Sequence, residues 1–87
     1  NVGELVSFLK TKKFSDMRKW ANSNMDTDTA RIFRRLYDSL SALLQPQSVP
    51  QAVLIIADYQ YKSAFVVDQE INLVACLTEI MVECEFK

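Results

Sequence analysis

The stretch Asp68-Gln69-Glu70-Ile71-Asn72-Leu73-Val74-Ala75-Cys76-Leu77-Thr78-Glu79-Ile80-Met81-Val82-Glu83 decides the fold. It holds no Gly or Pro, so nothing in it breaks a helix. Asp68 stands where an N-cap belongs, and Glu70 puts a negative charge in the first turn. At roughly 100° per residue, Asn72, Glu79 and Glu83 fall in a polar stripe about 40° wide, with Cys76 beside it. Ile71, Leu73, Val74, Ala75, Leu77, Ile80, Met81 and Val82 cover about 220° of the remainder. A helix packed on one side only needs an apolar stripe of about 100° or slightly more. This helix is therefore expected to be central in its own bundle, or to be covered by a partner as well.

The rest of the chain is also helical in pattern. Val2, Leu5, Val6 and Leu9 repeat at i, i+3, i+4, i+7, and Lys10, Lys12 and Lys13 suit the end of that helix. Ser15 is the expected N-cap of a second short helix that buries Met17, Trp20 and Ala21 and breaks at Asn22-Ser23-Asn24. Asp26-Thr27-Asp28-Thr29 offers caps for a third. Its apolar stripe is Ile32, Phe33, Leu36, Tyr37, Leu40, Leu43 and Leu44. Gln45-Pro46-Gln47-Ser48 connects to a fourth helix over residues 49–65, with Pro50 in its first turn. Its expected buried face is Val49, Val53, Ile56, Ala57 and Ala64, with an Asp58–Lys62 pair opposite. A break near Val66-Val67 precedes Asp68. Five helices joined by short links predict an all-α five-helix bundle, one domain over residues 1–87.

Composition narrows the chemistry. The chain has 87 residues, no His, one Gly and a net charge of −1. Missing His removes the usual proton shuttle and the commonest metal ligand, and a single Gly makes no phosphate-cradling loop. Nothing approaches the roughly 18 apolar residues of a membrane span. Cys76 and Cys84 are eight residues apart, about 12 Å along a helix, too far for a disulfide that needs Cα atoms within about 7 Å. Both read as small packing residues in a reducing compartment. The charge is uneven. Residues 1–44 carry eight basic and five acidic side chains, a net +3, and residues 45–87 carry two basic and six acidic, a net −4. Solvated helix faces explain this, and so does a module that packs head to tail with copies of itself.

Candidate chemistry is sparse. Arg31, Arg34 and Arg35 are placed to contact phosphate, which makes a small DNA-binding module the alternative reading, but Asp38 can pair with Arg34. Asp68 and Glu70 resemble a carboxylate pair, yet capping explains both. Tyr59, Tyr61 and Phe65 suit stacking on bases, half-buried packing or a protein interface. No nucleophile–base arrangement and no metal set stands out, so no catalytic residue is expected here.

Ile56-Ala57-Asp58-Tyr59-Gln60-Tyr61-Lys62 and Asp68-Gln69-Glu70-Ile71-Asn72-Leu73-Val74-Ala75-Cys76-Leu77-Thr78-Glu79 resemble the C-terminal region of phage-type sliding-clamp loader small subunits, relatives of replication factor C. Leu5-Val6-Ser7-Phe8-Leu9-Lys10 and Phe14-Ser15-Asp16-Met17-Arg18-Lys19-Trp20 resemble its beginning, and the likeness spans essentially the whole chain. The resemblance implies a helical collar domain that holds AAA+ ATPase subunits in a ring for clamp loading in DNA replication. It implies that Asn1 opens a piece of a longer chain, whose other domains bind ATP and Mg. No cofactor is expected in residues 1–87. The implied partners are other loader subunits through the collar, and the sliding clamp and primer–template DNA through the whole complex. The implied setting is the cytoplasm, of the host cell if the gene is a phage's. Exposure and charge then select Tyr59, Tyr61, Phe65, Gln69, Asn72, Cys76 and Glu79 for subunit contacts, with Arg31 and Arg35 as partners of opposite charge.

Overall fold

A computed structural model describes residues 2–87. The helices are α1 (Val2–Lys10), α2 (Phe14–Ser23), α3 (Thr29–Leu43), α4 (Val49–Lys62) and α5 (Gln69–Glu83), with a 3₁₀ turn at Pro46–Ser48 before α4. The protein is an all-α five-helix bundle. α5 is the central element. It packs against α4, α2 and α1, while α3 packs against α4 and α1.

The helix starts follow local chemistry. Asp28 caps α3, its carboxylate accepting from the Ala30 N–H at 3.1 Å. Asp68 caps α5 by accepting from the N–H groups of Glu70 at 2.9 Å and Ile71 at 3.2 Å. Pro50 lies in the first turn of α4, where its missing N–H costs nothing. Ser15 is no cap. α2 already begins at Phe14, and Lys13 precedes it without a side-chain cap bond. The reason is the turn before it. Lys12 takes a left-handed conformation (φ 61°), its N–H bonding to the Leu9 carbonyl at 3.3 Å and that of Lys13 to the Phe8 carbonyl at 2.9 Å. This is a Schellman closure with Lys in the place usually held by Gly, and it starts α2 two residues early.

The core lies where the α3 and α5 patterns put it. Ile32, Phe33, Leu36, Leu40, Leu43 and Leu44 are buried, together with Met17, Trp20 and Ala21 of α2. Tyr37 stays exposed, with the Arg34 guanidinium 5.3 Å from its ring centre. α4 is rotated from the expected face. Ala52, Ile55 and Ile56 are buried, Val49 and Val53 only half so, and Ala57 and Ala64 are exposed. Apolar residues occur all round α4, so its periodicity does not fix one face. The helix also ends at Lys62 rather than 65. Its last carbonyls are taken by the turn and by α5: Gln69 donates to the Ser63 carbonyl at 2.9 Å, and Asn72 to that of Tyr59 at 3.1 Å.

The end of the chain forms a strap over the α3–α4 connection. Leu44 and Phe86 make an antiparallel bridge. The Gln45 N–H donates to the Glu85 carbonyl at 2.9 Å, and the Lys87 N–H to the Leu43 carbonyl at 3.0 Å. Ser48 is buried because its hydroxyl accepts the Glu85 N–H at 2.9 Å. Lys12 reaches the same end of the bundle, donating to the Met81 carbonyl with its ammonium 5.1 Å from the centre of the Phe86 ring.

Loss of the α5 cap tests this account of the helix starts. Asp68→Ala removes acceptors for two otherwise unbonded N–H groups, and should lower stability by about 1 kcal/mol in urea unfolding followed by circular dichroism. An unchanged midpoint would mean that packing alone sets the start of α5.

Candidate functional site

The α4–α5 hairpin holds most of the residues selected for partner contact, and it divides them into two sets. One set is bound within the chain. Asn72 is 6% exposed and Cys76 fully buried, so neither presents a side chain to a neighbour. The sequence pattern places both on an outward polar stripe. That expectation is corrected: the stripe turns inward against the end of α4, where Asn72 adds a second donor to the Tyr59 carbonyl, already bonded by the Ser63 N–H at 2.9 Å. Gln69 is held in the same way. Tyr59 is half-buried and donates its hydroxyl to Glu79 at 2.8 Å, while the Lys62 ammonium lies 4.7 Å from its ring centre. Lys62 also pairs with Asp58 at 2.9 Å. These contacts fasten the two helices together and fix which sides they turn outward.

The second set faces out. Tyr61 and Phe65 are 70% and 68% exposed, their ring centres 5.2 Å apart in a tilted contact. Leu54 (72%), Ile71 (68%) and Val82 (70%) join them. None of the three is among the residues selected from the sequence: Ile71 and Val82 belong to the broad apolar arc of α5, which reads as core or as partner surface alike, and Leu54 lies outside the expected buried face of α4. On α4, the exposed residues Pro50, Leu54, Ala57 and Tyr61 follow helical spacing along one side. On α5, Ile71, Ala75, Thr78 and Val82 do the same, the middle two half-exposed. α5 buries about 180° of its circumference against three neighbours and still carries an apolar line on the side left open. Of the eight large apolar side chains exposed among the described residues, six fall between Leu54 and Val82. Scattered exposure is ordinary, but a line on each of two joined helices marks a candidate interaction surface.

The arginines behave unequally. Arg34 pairs with Asp38 at 3.2 Å and covers Tyr37. Arg31 and Arg35 are exposed on the outward side of α3, with no carboxylate within 4.0 Å among the described residues. Asp68 and Glu70 serve the α5 N-terminus, and Asn22 also donates to Glu70 at 3.2 Å. Cys76 and Cys84 are free and buried.

No match to a family model or to a curated protein is found for the chain. Among the described residues, no helix is long and apolar enough to cross a membrane, and no three His, Cys, Asp or Glu side chains gather as a metal site.

Titration reports on the hairpin. Burial, then the nearby Glu79 carboxylate, pushes the Cys76 thiol from 9.0 up to about 12. The hydrogen bond to Glu79, then burial, pushes the Tyr59 phenol from 10.0 up to about 12. Both are neutral acids that the fold keeps protonated. Their contribution to stability is full below pH 9 and is lost between there and about 12, as the unfolded chain alone releases protons. The urea midpoint should therefore fall from about pH 9 to about pH 11, and Cys76→Ala should flatten the first part of that fall. A midpoint that stays level across the window would show that Cys76 ionises as freely folded as unfolded.

Proposed function

We propose that this chain is an association domain, a collar that holds the ATPase subunits of a sliding-clamp loader side by side in a ring for DNA replication. The observation that carries the reading is the apolar line left open on α5, the central helix of the bundle, together with a second exposed line on α4. A helix already covered by three others gains nothing within its own chain from Ile71 and Val82, so those side chains await another surface. Covering Leu54, Tyr61, Phe65, Ile71 and Val82 is worth on the order of 10 kcal/mol, at about 2 kcal/mol for each side chain. Association costs about 4–15 kcal/mol. The two are of similar size, so most of the line has to be covered for a stable contact.

Sequence likeness suggests the identity of the assembly, and the hairpin supplies a surface suited to it. The partners on this reading are neighbouring loader subunits, and through the whole complex the sliding clamp and primer–template DNA. ATP and magnesium belong to the ATPase part of the subunit. The alternative of a DNA-binding module has less support: it needs the three arginines together, and Arg34 is committed to Asp38.

Charge placed on the apolar line tests the proposal. In the full-length subunit, the double change Leu54→Glu and Ile71→Glu should convert the assembled complex into dissociated subunits on sedimentation. Both sites are exposed, so the fold of residues 2–87 should change in stability by no more than about 0.5 kcal/mol. Normal assembly of the doubly changed subunit would end the reading.

A further inference from the structure

We infer that residues 84–87 are a two-state switch: they lie here as a strap, their alternative state is one more turn of α5, and Lys12 and Ser48 hold the strap state. The inference does not depend on the association reading. It starts from an exchange of bonding partners. In a longer helix the Met81 carbonyl would accept the N–H of residue 85. Here the chain leaves α5 at Cys84, which is extended (φ −106°, ψ 149°), and the Glu85 N–H goes to the Ser48 hydroxyl at 2.9 Å. The Met81 carbonyl finds another donor. The Lys12 ammonium, from a turn 69 residues earlier in the chain, bonds to it. Two groups that a further helical turn would join are thus each held by a side chain from another part of the bundle.

The alternative turn is open to this sequence. Cys84-Glu85-Phe86-Lys87 contains neither Gly nor Pro, and Glu and Lys are good helix formers. Glu83 followed by Lys87 is the favourable order for an i, i+4 ion pair. Among the described residues, Lys87 makes no ion pair in the strap state. Against this, the strap has the Leu44–Phe86 bridge and the bonds from Gln45 to Glu85 and from Lys87 to Leu43.

Lys12 acts on both sides of the balance. Its ammonium occupies the carbonyl that the helical turn needs, and lies 5.1 Å from the centre of the Phe86 ring, which belongs to the strap. Its backbone sits at φ 61°, where Gly is the easier residue. A Gly would make the turn more readily and latch nothing, so the side chain accounts for a Lys at this position. In the helical state Phe86 would leave Leu44, and the chain would run on along the axis of α5 instead of folding back across the α3–α4 connection.

Amide exchange and carbon chemical shifts, measured by NMR on the 87-residue chain, test the switch. Lys12→Gly keeps the left-handed turn and removes the latch. The Gln45 and Lys87 amides should then exchange roughly ten-fold faster, the size of effect expected from losing one charge-assisted bond. Amides in the middle of α5 should keep their protection, and the Cα shifts of residues 85–87 should move toward helical values. Adding Ser48→Ala should move them further, while Lys12→Arg, which keeps a cationic donor, should leave the wild-type pattern in place. Unchanged exchange at Gln45 and Lys87 in the Lys12→Gly variant would overturn the role of the latch. Faster exchange with Cα shifts that move to random-coil values would overturn the switch itself, leaving a tail that frays. If the double variant loses protection throughout α5, the Lys12→Gly and Lys12→Arg pair decides the matter on its own.

Discussion

A helix enclosed by three others has to solve two problems at once, and the rest of the bundle depends on how α5 solves them. It needs apolar side chains around half of its circumference, which Leu73, Cys76, Leu77, Ile80 and Met81 supply. It must also serve the backbone of its neighbour. α4 ends against it at the Ser63 carbonyl, which no further helical turn bonds, and in a dry interior an unsatisfied carbonyl is costly. Gln69 is the donor that meets this need, and Asn72 adds a second bond to the Tyr59 carbonyl, which also accepts the Ser63 N–H. Once they are in place, the rotation of α4 about its axis is fixed. Leu54 and Tyr61 then face outward, and Ile55 and Ile56 inward. The exposed surface of the hairpin is thus a by-product of how its interior is bonded.

This explains what can be read from the chain alone. Asp28 and Asp68 are legible as caps because capping is decided within three residues. The Arg34–Asp38 and Asp58–Lys62 pairs follow from helical spacing in the same way. The buried face of α3 is plain because Arg31, Arg34 and Arg35 mark the opposite side. α4 offers no such contrast, and its periodicity leaves the face undecided: Ile56 is buried and Val49 and Val53 half-buried as expected, but Ala57 is exposed and Ala52 and Ile55 are buried instead. Asn72 misleads for a related reason. A polar residue on a helix reads as outward unless one knows that a carbonyl thirteen residues earlier will lie beside it. Ser48 and the last four residues show the same limit, since a hydroxyl in a connection gives no sign that it will accept a bond from residue 85.

The apolar content also carries two meanings that sequence does not separate. A broad apolar arc on α5 means either a central helix or one covered by a partner. In the structure it is central, and the line formed by Ile71, Ala75, Thr78 and Val82 still remains open to the outside. Length limits make this arrangement economical. A domain of this size has little interior to spare, and a single helix that serves as core on one side and as contact surface on the other performs both tasks with few residues.

The strap formed by residues 84–87 has a mechanical consequence. Tension on the end of the chain does not reach α5 first. It is borne by the bonds from Lys87 to Leu43, from Gln45 to Glu85 and from Glu85 to Ser48, which tie the terminus to the junction of α3 and α4. A pull at that end is therefore shared among three helices before any of them can unwind, and a subunit tugged from that side is expected to give way as one block rather than to peel from its tail.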